Sequence, residues 1–343
     1  MKALVLEEYN KLIYKDMPNP QIKDNEVLIE VKACGICGSD VHGMDGNSGR
    51  RHPPLIMGHE ASGIIVDRGS AVTDFGEGDR VTFDSTIYCG SCYYCRQGLI
   101  NLCDNRRVLG VSPPEYRQHG AFAQFVAVPE HILYRLPDHL SFVQAAMVEP
   151  VSIAFHAVAL TPISLGDSAV VIGSGMVGIF VIQALRAAGC GQIIAVDLEQ
   201  SKVDLAVKLG ADYGLLADKV DVIEEVHKLT GGKGADIAVE VVGNTAAVNT
   251  AIGSLRKGGA LTIVGNLAST VDFPLQEVVT RQIRVAGSCS SCGEYPACLD
   301  MIARGTVKVD ALVSKVAPLA EGAEWFRKLY NQEEGLMKVI LTP

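Results

Sequence analysis

Four cysteines lie within a fifteen-residue stretch of this 343-residue chain, at the spacing C-x2-C-x2-C-x7-C. They are Cys89, Cys92, Cys95 and Cys103. Two-residue gaps let neighbouring thiolates turn toward one point, and a short loop returns the fourth, which is the pattern of a tetrahedral zinc site. Four protein ligands leave no open position, so we expect this site to stabilise a loop and to perform no chemistry.

Two disulfides or four core thiols are the alternatives for this cluster. The run MKALVLEEYNKLIYKD at the amino terminus meets charged residues too early for a secretory signal, so disulfides are not expected. Core thiols do not cluster among Gly, Tyr, Arg and Gln, which surround these four. A structural zinc lobe is therefore the prediction, and the chemistry must be found elsewhere.

A glycine-rich turn follows an apolar strand-like run and opens a helix-like segment, in the order Gly173-Ser-Gly175-Met-Val-Gly178. In that context Gly173 permits a tight turn, Gly175 lets the backbone approach a pyrophosphate, and Gly178 allows close packing of helix on strand. The helix would begin at Met176 and Val177, where free N–H groups and the positive end of the helix dipole favour phosphates. The turn predicts a bound dinucleotide; a glycine turn without a ligand is the alternative.

An acidic residue in the expected place makes that alternative weaker. Asp197 closes the strand-like run QIIAVD about 20 residues after the turn, where a carboxylate holds the adenosine ribose hydroxyls. It would repel a 2′-phosphate, so NAD is favoured over NADP. Lys202 could flank the ribose, or it could be a solvated helix charge.

A second set of metal-binding residue types is spread along the first 150 residues. ACGICGSDVHG contains Cys37, GHEASG contains His59 and Glu60, and VEP contains Glu149. Singly, each has an ordinary structural explanation, and Cys37 could pair with Cys34 as a redox C-x-x-C, although no thioredoxin-like context surrounds them. Together they offer a thiolate, an imidazole and carboxylates, which suits an open catalytic zinc.

The pattern of strand-like and helix-like segments along the chain predicts two domains. Residues 1–150 contain short strand-like runs separated by Gly, Pro and Asp turns. Residues 151–293 alternate strand-like runs with helix-length segments, including a helix over 245–259, which predicts an α/β fold with a doubly wound parallel sheet. The tail from about 294 to 343 has one helix-length segment and a final strand, and we expect it to complete the first domain.

Composition narrows the range of partners and locations. The chain is 48% hydrophobic with a net charge of −9, and no block of like charges occurs, so neither nucleic acid nor an anionic membrane surface is an expected partner. The longest apolar stretches carry several glycines, so no membrane span is predicted. The cytoplasm is the expected location.

These motifs, in order and spacing, resemble the zinc-dependent medium-chain alcohol dehydrogenases. The resemblance rests on CGICGSDVH at 34–42, GHE-x-x-G at 58–63, the cysteine lobe and GSGMVG at 173–178, and it covers nearly the whole chain. The VEP motif, which contains Glu149, resembles that of the polyol and threonine dehydrogenase branch of this family. The resemblance implies a GroES-like catalytic domain and a Rossmann domain with the active site in the cleft between them, two zinc ions per chain, and a dimer or tetramer.

The resemblance also implies roles for individual residues. Cys37 and His59 are the expected catalytic-zinc ligands, and Glu60 and Glu149 compete for the remaining protein position. NAD would oxidise a secondary alcohol to a ketone reversibly, with the hydroxyl of Ser39 taking the proton and passing it through the nicotinamide ribose to His42. Ser39 could in addition cap a helix over the DVHGM segment.

One departure leaves the substrate open. Polyol dehydrogenases that resemble sorbitol dehydrogenase usually carry an Arg shortly after the last Rossmann strand, where this chain has GSCSSCGEYPAC. A polyol or sugar alcohol is the main expectation, with threonine or a sugar phosphate as alternatives. A phosphate would need extra cations, for which Arg50, Arg51 and Arg117 are candidates.

Two further classes complete the alternatives. A zinc-free quinone or enone reductase is disfavoured, because such proteins lack the Cys37, His59 and Glu149 set and the cysteine lobe. A non-enzymatic NAD-binding protein on the same fold is disfavoured by the intact candidate ligands and proton path.

Overall fold

A computed structural model describes residues 1–111 and 118–343 of the chain. Two compact units divide the backbone. The first contains Met1–Glu149 and Cys292–Pro343, and the second contains Pro150–Ser291. No helix in the described ranges combines the length and apolar character needed to cross a membrane.

The regular elements follow one another along the chain as strands and α-helices. The strands are β1 (Lys2–Glu8), β2 (Lys11–Asp16), β3 (Glu26–Gly35), β4 (Leu55–Ile56), β5 (Glu60–Arg68), β6 (Arg80–Phe83), β7 (Thr86–Ile87), β8 (Arg107–Val108), β9 (Phe125–Pro129), β10 (Leu133–Arg135), β11 (Ser168–Ile172), β12 (Gln192–Asp197), β13 (Tyr213–Leu216), β14 (Ala235–Glu240), β15 (Leu255–Ile263), β16 (Arg284–Gly287), β17 (Val313–Pro318) and β18 (Lys338–Thr342). The helices are α1 (Gly38–Val41), α2 (Tyr93–Arg96), α3 (Phe142–Ala146), α4 (Val148–Leu160), α5 (Met176–Ala187), α6 (Gln200–Lys208), α7 (Val222–Leu229), α8 (Thr245–Ser254), α9 (Leu275–Thr280), α10 (Tyr295–Ala303) and α11 (Gly322–Tyr330).

The second unit is a six-stranded parallel sheet in the order β13-β12-β11-β14-β15-β16. Its central strands β11, β12 and β14 are almost entirely buried, as expected for parallel strands covered on both faces. The strand order is that of a Rossmann sheet, and it reverses between β11 and β14, where such sheets bind ligands. The doubly wound parallel sheet expected from the sequence is confirmed.

The first unit is built mainly of antiparallel strands. Its largest sheet runs β10-β6-β5-β3-β18-β17, with β9 also pairing with β3, and a smaller sheet joins β2, β1 and β4. The long strand β3 holds the unit together, because it pairs with β5, β9 and the carboxyl-terminal strand β18. These pairings bring Glu60 and Ile340 to either side of Gly35.

Several elements differ from the expectations drawn from sequence. The helix expected over 245–259 ends at Ser254, and β15 begins at Leu255, because Leu255 pairs with Ala235 of the neighbouring strand β14. Pairing in the sheet thus outweighs the helical pattern of that segment. The helices α4 and α11 and the strands β13 and β17 were not expected.

Candidate functional site

Helix α1 positions the first group of candidate site residues. Cys37 is its N-cap, with extended backbone, and the helix begins at Gly38. Ser39 therefore lies inside the first turn, which excludes its alternative role as a helix cap. The backbone N–H of Cys37 donates to Asp40 Oδ2 at 3.4 Å. His42 is the C-cap residue of the helix and is exposed.

Three of the predicted metal ligands meet at one point. One ligand atom from each of Cys37, His59 and Glu60 lies within 4.8 Å of the other two. His59 lies between β4 and β5, and Glu60, the first residue of β5, is fully buried. Within the described part of the chain, Glu60 Oε1 is buried without a hydrogen-bond partner, which is costly for a carboxylate unless a cation binds it. The donor set and this unpaired oxygen fit a zinc ion.

The other oxygen of Glu60 is held by a buried lysine. Lys338 Nζ on β18 donates to Glu60 Oε2 at 2.5 Å and to the carbonyl of Ile36 at 3.0 Å, and both charged side chains are fully buried. Gly35 allows this arrangement, because a Cβ at that position would lie 2.2 Å from Glu60 Oε2. One oxygen of Glu60 is therefore anchored while the other faces the candidate metal site.

A buried carboxylate lies behind His59. Asp40 Oδ1 is 3.4 Å from His59 Nδ1, a contact that is long for a hydrogen bond, and it accepts a hydrogen bond from Arg51 Nη2 at 2.6 Å. Burial alone would raise the pKa of Asp40, but the charges of His59 and Arg51 outweigh it and hold that pKa well below its usual range. Burial lowers the pKa of His59, yet Asp40 outweighs this and raises it overall. A carboxylate at Nδ1 leaves Nε2 for a metal, and surroundings that favour a positive charge favour a bound cation.

Glu149, the competitor of Glu60, lies in the first turn of α4. Among the described residues, the group of mutually close ligand atoms contains Glu60 and does not contain Glu149. Desolvation raises the pKa of Glu149 to about 8, with the charges of Glu60 and Asp84 acting in the same direction and those of His59 and Lys338 opposing it. Glu149 is thus a neighbour of the ligand group in the structure.

The candidate proton-path residues share helix α1. Ser39 Oγ donates to Cys37 Sγ at 3.2 Å and accepts from Arg51 Nη2 at 3.1 Å. His42 follows Ser39 by three residues, so both side chains lie on the same side of the turn. Both residues are exposed in the structure.

The cysteine lobe forms a second cluster. One sulfur from each of its four members lies within 4.8 Å of the others; these are Cys89, Cys92, Cys95 and Cys103. N–H groups surround the sulfurs: Asn105 Nδ2 donates to Cys89 Sγ at 3.5 Å, and the backbone of Cys92 donates to the same atom at 3.4 Å. The hydrogen bond from Asn105 contributes most, and with those from Ser91 and Cys92 it lowers the pKa of Cys89 to about 5, which favours the thiolate that zinc requires. All ten cysteines of the chain lie among the described residues, and none of them forms a disulfide.

The glycine-rich turn lies between β11 and α5, at the carboxyl edge of the parallel sheet. Gly173 has φ +96°, a conformation open chiefly to glycine. A Cβ at Gly178 would lie 1.9 Å from the carbonyl oxygen of Gly173, so the helix can approach the turn only with glycine there. Gly175 is the N-cap of α5 and borders open space, and the helix begins at Met176, followed by Val177.

Asp197 lies at the end of β12, the neighbour of β11 in the sheet. Its Oδ2 accepts the backbone N–H of Ser174 in the glycine turn at 2.7 Å, and its Oδ1 accepts that of Leu198 at 2.8 Å. The carboxylate is thereby fixed beside the turn. Lys202 of α6 forms an ion pair with Glu199 at 2.6 Å, an arrangement typical of a solvated helix charge.

Sequence reasoning missed three charged residues of the first site: Asp40, Arg51 and Lys338. Asp40 could have been found inside the quoted CGICGSDVH motif, because a carboxylate next to a metal-binding histidine is a common arrangement. Arg51 was considered only as a phosphate ligand, and it is buried against Asp40 instead. Nothing in the sequence links Lys338 to Glu60. Arg117, another phosphate candidate, lies outside the described residues.

The segment that lacks the expected arginine is also defined. Ser290 has φ +56°, and Cys292 Sγ donates to the carbonyl of Gly98 at 3.2 Å. Cys298 is fully buried in α10, consistent with a role as small apolar filling.

Comparisons with known proteins identify the family of the chain. A model of the alcohol dehydrogenase GroES-like domain matches residues 23–138, and one of the zinc-binding dehydrogenases matches residues 177–304. Sorbitol dehydrogenase of Bacillus subtilis (strain 168) is 34% identical, with 100% of this chain and 97% of that protein covered. D-arabitol-phosphate dehydrogenase of Enterococcus avium is also 34% identical, with 97% and 94% covered.

A solved structure shares the fold over its whole length. The zinc-binding dehydrogenase of Sinorhizobium meliloti 1021 bound to NADP has a TM-score of 0.92 and 30% identity, covering 100% of this chain and 99% of that one. These matches confirm the resemblance inferred from the motifs and the fold class with its GroES-like part. The chain is an oxidoreductase and belongs to the zinc-binding alcohol dehydrogenase family.

Proposed function

We propose that this enzyme catalyses the reversible, zinc- and NAD-dependent oxidation of a secondary alcohol of a polyol or sugar alcohol to a ketone. The observation that carries the proposal is the meeting of one ligand atom each from Cys37, His59 and Glu60 within 4.8 Å. Three protein donors, a thiolate, an imidazole and a carboxylate, leave the fourth position of a tetrahedral zinc open, as in a catalytic zinc site. The glycine turn and Asp197 at the edge of the parallel sheet supply the dinucleotide site.

The direct zinc ligands in this proposal are Cys37, His59 and Glu60. Support comes from Glu60 Oε1, which is buried and unpaired within the described part of the chain, and from the absence of Glu149 from the same ligand group there. Glu149 acts as a neighbouring carboxylate that tunes the site. The chemistry supplied by the bound groups is Lewis-acid polarisation of the substrate hydroxyl by zinc and acceptance of a hydride by the nicotinamide ring.

The chain's own residues provide the path for the alcohol proton. Ser39 Oγ accepts one hydrogen bond, from Arg51, and so keeps one lone pair with which to take a proton. Its own hydroxyl proton, which is donated to Cys37 Sγ in the structure, turns away from that sulfur and passes toward His42, on the same side of the helix turn. A histidine suits the last position, because an imidazole can take up and release a proton and the exposure of His42 gives it contact with solvent.

We propose NAD as the preferred dinucleotide. Gly173, Gly175 and Gly178 line the turn, with Met176 and Val177 opening the helix toward the pyrophosphate. Asp197 would accept hydrogen bonds from the adenosine ribose and would repel a 2′-phosphate. The NADP complex of the Sinorhizobium meliloti relative makes this a point for direct test, by the ratio of kcat/KM for NAD and NADP. Lys202 could flank the adenosine ribose only if its ion pair with Glu199 were broken.

The proposed substrate class is supported by the substrates named for two relatives and by the burial of Arg51. Sorbitol dehydrogenase and D-arabitol-phosphate dehydrogenase are equally similar, at 34% identity, so a sugar phosphate is the second candidate. Arg51 is fully buried and bound to Asp40, which removes it as a phosphate ligand, whereas Arg50 is exposed. An unphosphorylated polyol is therefore the first choice.

A substrate panel tests the proposal. The purified enzyme is assayed for NADH formation with sugar alcohols, sugar phosphates, threonine and butanediol. Turnover of a sugar alcohol or another polyol with NAD is the expected result. Turnover of sugar phosphates alone would select the second candidate, and no turnover with any of them would refute the polyol assignment.

The zinc content provides an independent test. The second zinc is proposed for the cysteine lobe, where it stabilises the loop and takes no part in the reaction. Elemental analysis should give two zinc ions per chain, and Cys37→Ala should remove one of them together with activity. A content of one in the wild type would refute one of the two sites.

We further propose the domain extents, assembly and location. The compact units of the backbone support a catalytic domain of about residues 1–150, completed by about 294–343, and a Rossmann domain of about 151–293. Strand β16 ends the parallel sheet with all four residues exposed, and unpaired sheet edges favour association into a dimer or tetramer. Ten cysteines without a disulfide support a reducing cytoplasm. Size-exclusion chromatography with light scattering tests the assembly.

A further inference from the structure

Arg51 is an unusual residue in the first unit, because its large cationic side chain is only 1% exposed. Its guanidinium donates to Asp40 Oδ1 through Nη2 at 2.6 Å and through Nε at 3.3 Å. Nη2 also donates to Ser39 Oγ at 3.1 Å. One planar group thus binds two adjacent residues of helix α1.

Both partners of Arg51 lead to a candidate zinc ligand. Ser39 Oγ donates in turn to Cys37 Sγ at 3.2 Å. Asp40 faces His59 Nδ1 at 3.4 Å through Oδ1 and accepts the backbone N–H of Cys37 through Oδ2. The Arg51 guanidinium is therefore connected to Cys37 through Ser39 and to His59 through Asp40.

The chain makes room for this arrangement. A Cβ at Gly43 would lie 2.6 Å from Arg51 Cγ and 2.8 Å from the carbonyl oxygen of Ser39. Any larger residue there would displace the arginine stem from the helix. The position of the guanidinium is thus set by packing as well as by charge.

Stability alone is a weak reason for such a group. A buried ion pair gains little over a well-packed apolar pair, because both charges lose their hydration. A planar fork that binds two groups at fixed angles gives orientation, which a lysine ammonium cannot reproduce. Residues that orient metal ligands typically affect metal affinity about 10- to 100-fold.

We propose that Arg51 is a positioning residue: through Ser39 and Asp40 it holds Cys37 and His59 in the geometry that binds zinc, and it directs the Ser39 hydroxyl. The inference rests on the zinc site of the proposed function. It assigns Arg51 to the metal centre and not to the recognition of a substrate phosphate.

The test is the conservative variant Arg51→Lys, which keeps the charge and the buried stem but loses the fork. Zinc retention is measured against graded chelator concentrations, with the zinc of the cysteine lobe as the internal reference. The absorption spectrum of the cobalt-substituted enzyme reports the ligand geometry. Arg50→Lys is the matched control, since Arg50 is the neighbouring arginine and is exposed.

Arg51→Lys is expected to bind the catalytic zinc about 10- to 100-fold more weakly and to shift the cobalt spectrum, while the lobe zinc stays bound. Arg50→Lys is expected to match the wild type in both measurements. Wild-type zinc affinity and an unchanged spectrum in Arg51→Lys would overturn the inference. Should that variant not fold, Arg51→Gln is judged by the same two measurements, and failure of both to fold would make Arg51 a structural residue and refute a positioning role.

The zinc content of the Cys37→Ala variant distinguishes failure of this inference from failure of the proposed function. If Cys37→Ala loses no zinc, the catalytic site itself is wrong. If Cys37→Ala loses one zinc and Arg51→Lys behaves as the wild type, only the role of Arg51 is wrong.

Discussion

Replacing Lys338 by methionine tests the buried ion pair beneath the proposed zinc site. Methionine keeps the length of the apolar stem but removes the ammonium that donates to Glu60 Oε2 at 2.5 Å and to the carbonyl of Ile36 at 3.0 Å. Both charged side chains are 0% exposed, so water cannot replace the lost partner. The variant leaves the Glu60 carboxylate buried and uncompensated.

The magnitude follows from that burial. Removing one partner of a buried ion pair destabilises a protein by about 3–5 kcal/mol. For a unit of about 150–250 residues, 1 kcal/mol corresponds to about 2–4 °C in Tm, so a loss of about 6–20 °C is expected. The loss should be larger in protein stripped of zinc by a chelator, because a bound cation would partly compensate Glu60.

The assay is thermal unfolding followed by circular dichroism, with and without chelator. Lys2→Met is the matched control, since Lys2 pairs with Asp16 at 2.8 Å while the two side chains are 43% and 80% exposed. Exposed pairs contribute little, so the control should keep the wild-type Tm. If Lys338→Met unfolded at the same temperature as the control in both forms, the argument from the buried pair would be refuted.

Five other substitutions test separate parts of the molecule. Cys95→Ser should lose the lobe zinc and lower Tm before it affects the chemistry; lost turnover with intact zinc content and Tm would contradict a structural lobe. Glu60→Gln should lose the catalytic zinc, whereas Glu149→Gln should keep it and lose rate, as elemental analysis and kcat will tell; the reverse pattern would exchange their roles. Asp197→Ala should weaken use of NAD and narrow the preference over NADP in kcat/KM, and equal use of both by the wild type would contradict the role of Asp197. Burial raises the pKa of Asp236, but hydrogen bonds, first that of Arg256, outweigh burial and lower this pKa overall. Asp236→Asn should therefore lower the free energy of unfolding by about 1–3 kcal/mol at neutral pH, and this difference from the wild type should shrink as pH falls below about 4. A difference that urea unfolding shows to be independent of pH would count against this ionic contribution.

Local patterns in the sequence were sufficient for the parts of the protein whose partners are neighbours along the chain. The spacing of the four lobe cysteines predicted their convergence, because short gaps leave few ways to arrange the sulfurs. The alternation of strands and helices after residue 150 predicted the parallel sheet, since a buried strand and an amphipathic helix have different periods. The glycines of the turn at 173–178 predicted a tight turn, and Gly173 has the positive φ that such a turn needs.

Local patterns failed where a distant strand decided the outcome. The segment 255–259 continues a helical pattern, yet it forms the start of β15, where Leu255 pairs with Ala235 of β14. The extent of helix α1 was also missed, so Ser39 was considered as a cap although Cys37 holds that position.

The sequence by itself determined which chemical groups this protein possesses and the family to which it belongs. Only the tertiary structure decided which of them work together: Glu60 joins the ligand group and Glu149 stands beside it, while Lys338 and Arg51 each balance a buried carboxylate. Lys338 is 278 residues from Glu60 along the chain, and strand β3 brings them together by pairing with both β5 and β18. The reason is that an unpaired charge is too costly to bury, and the identity of its partner depends on which strands become neighbours.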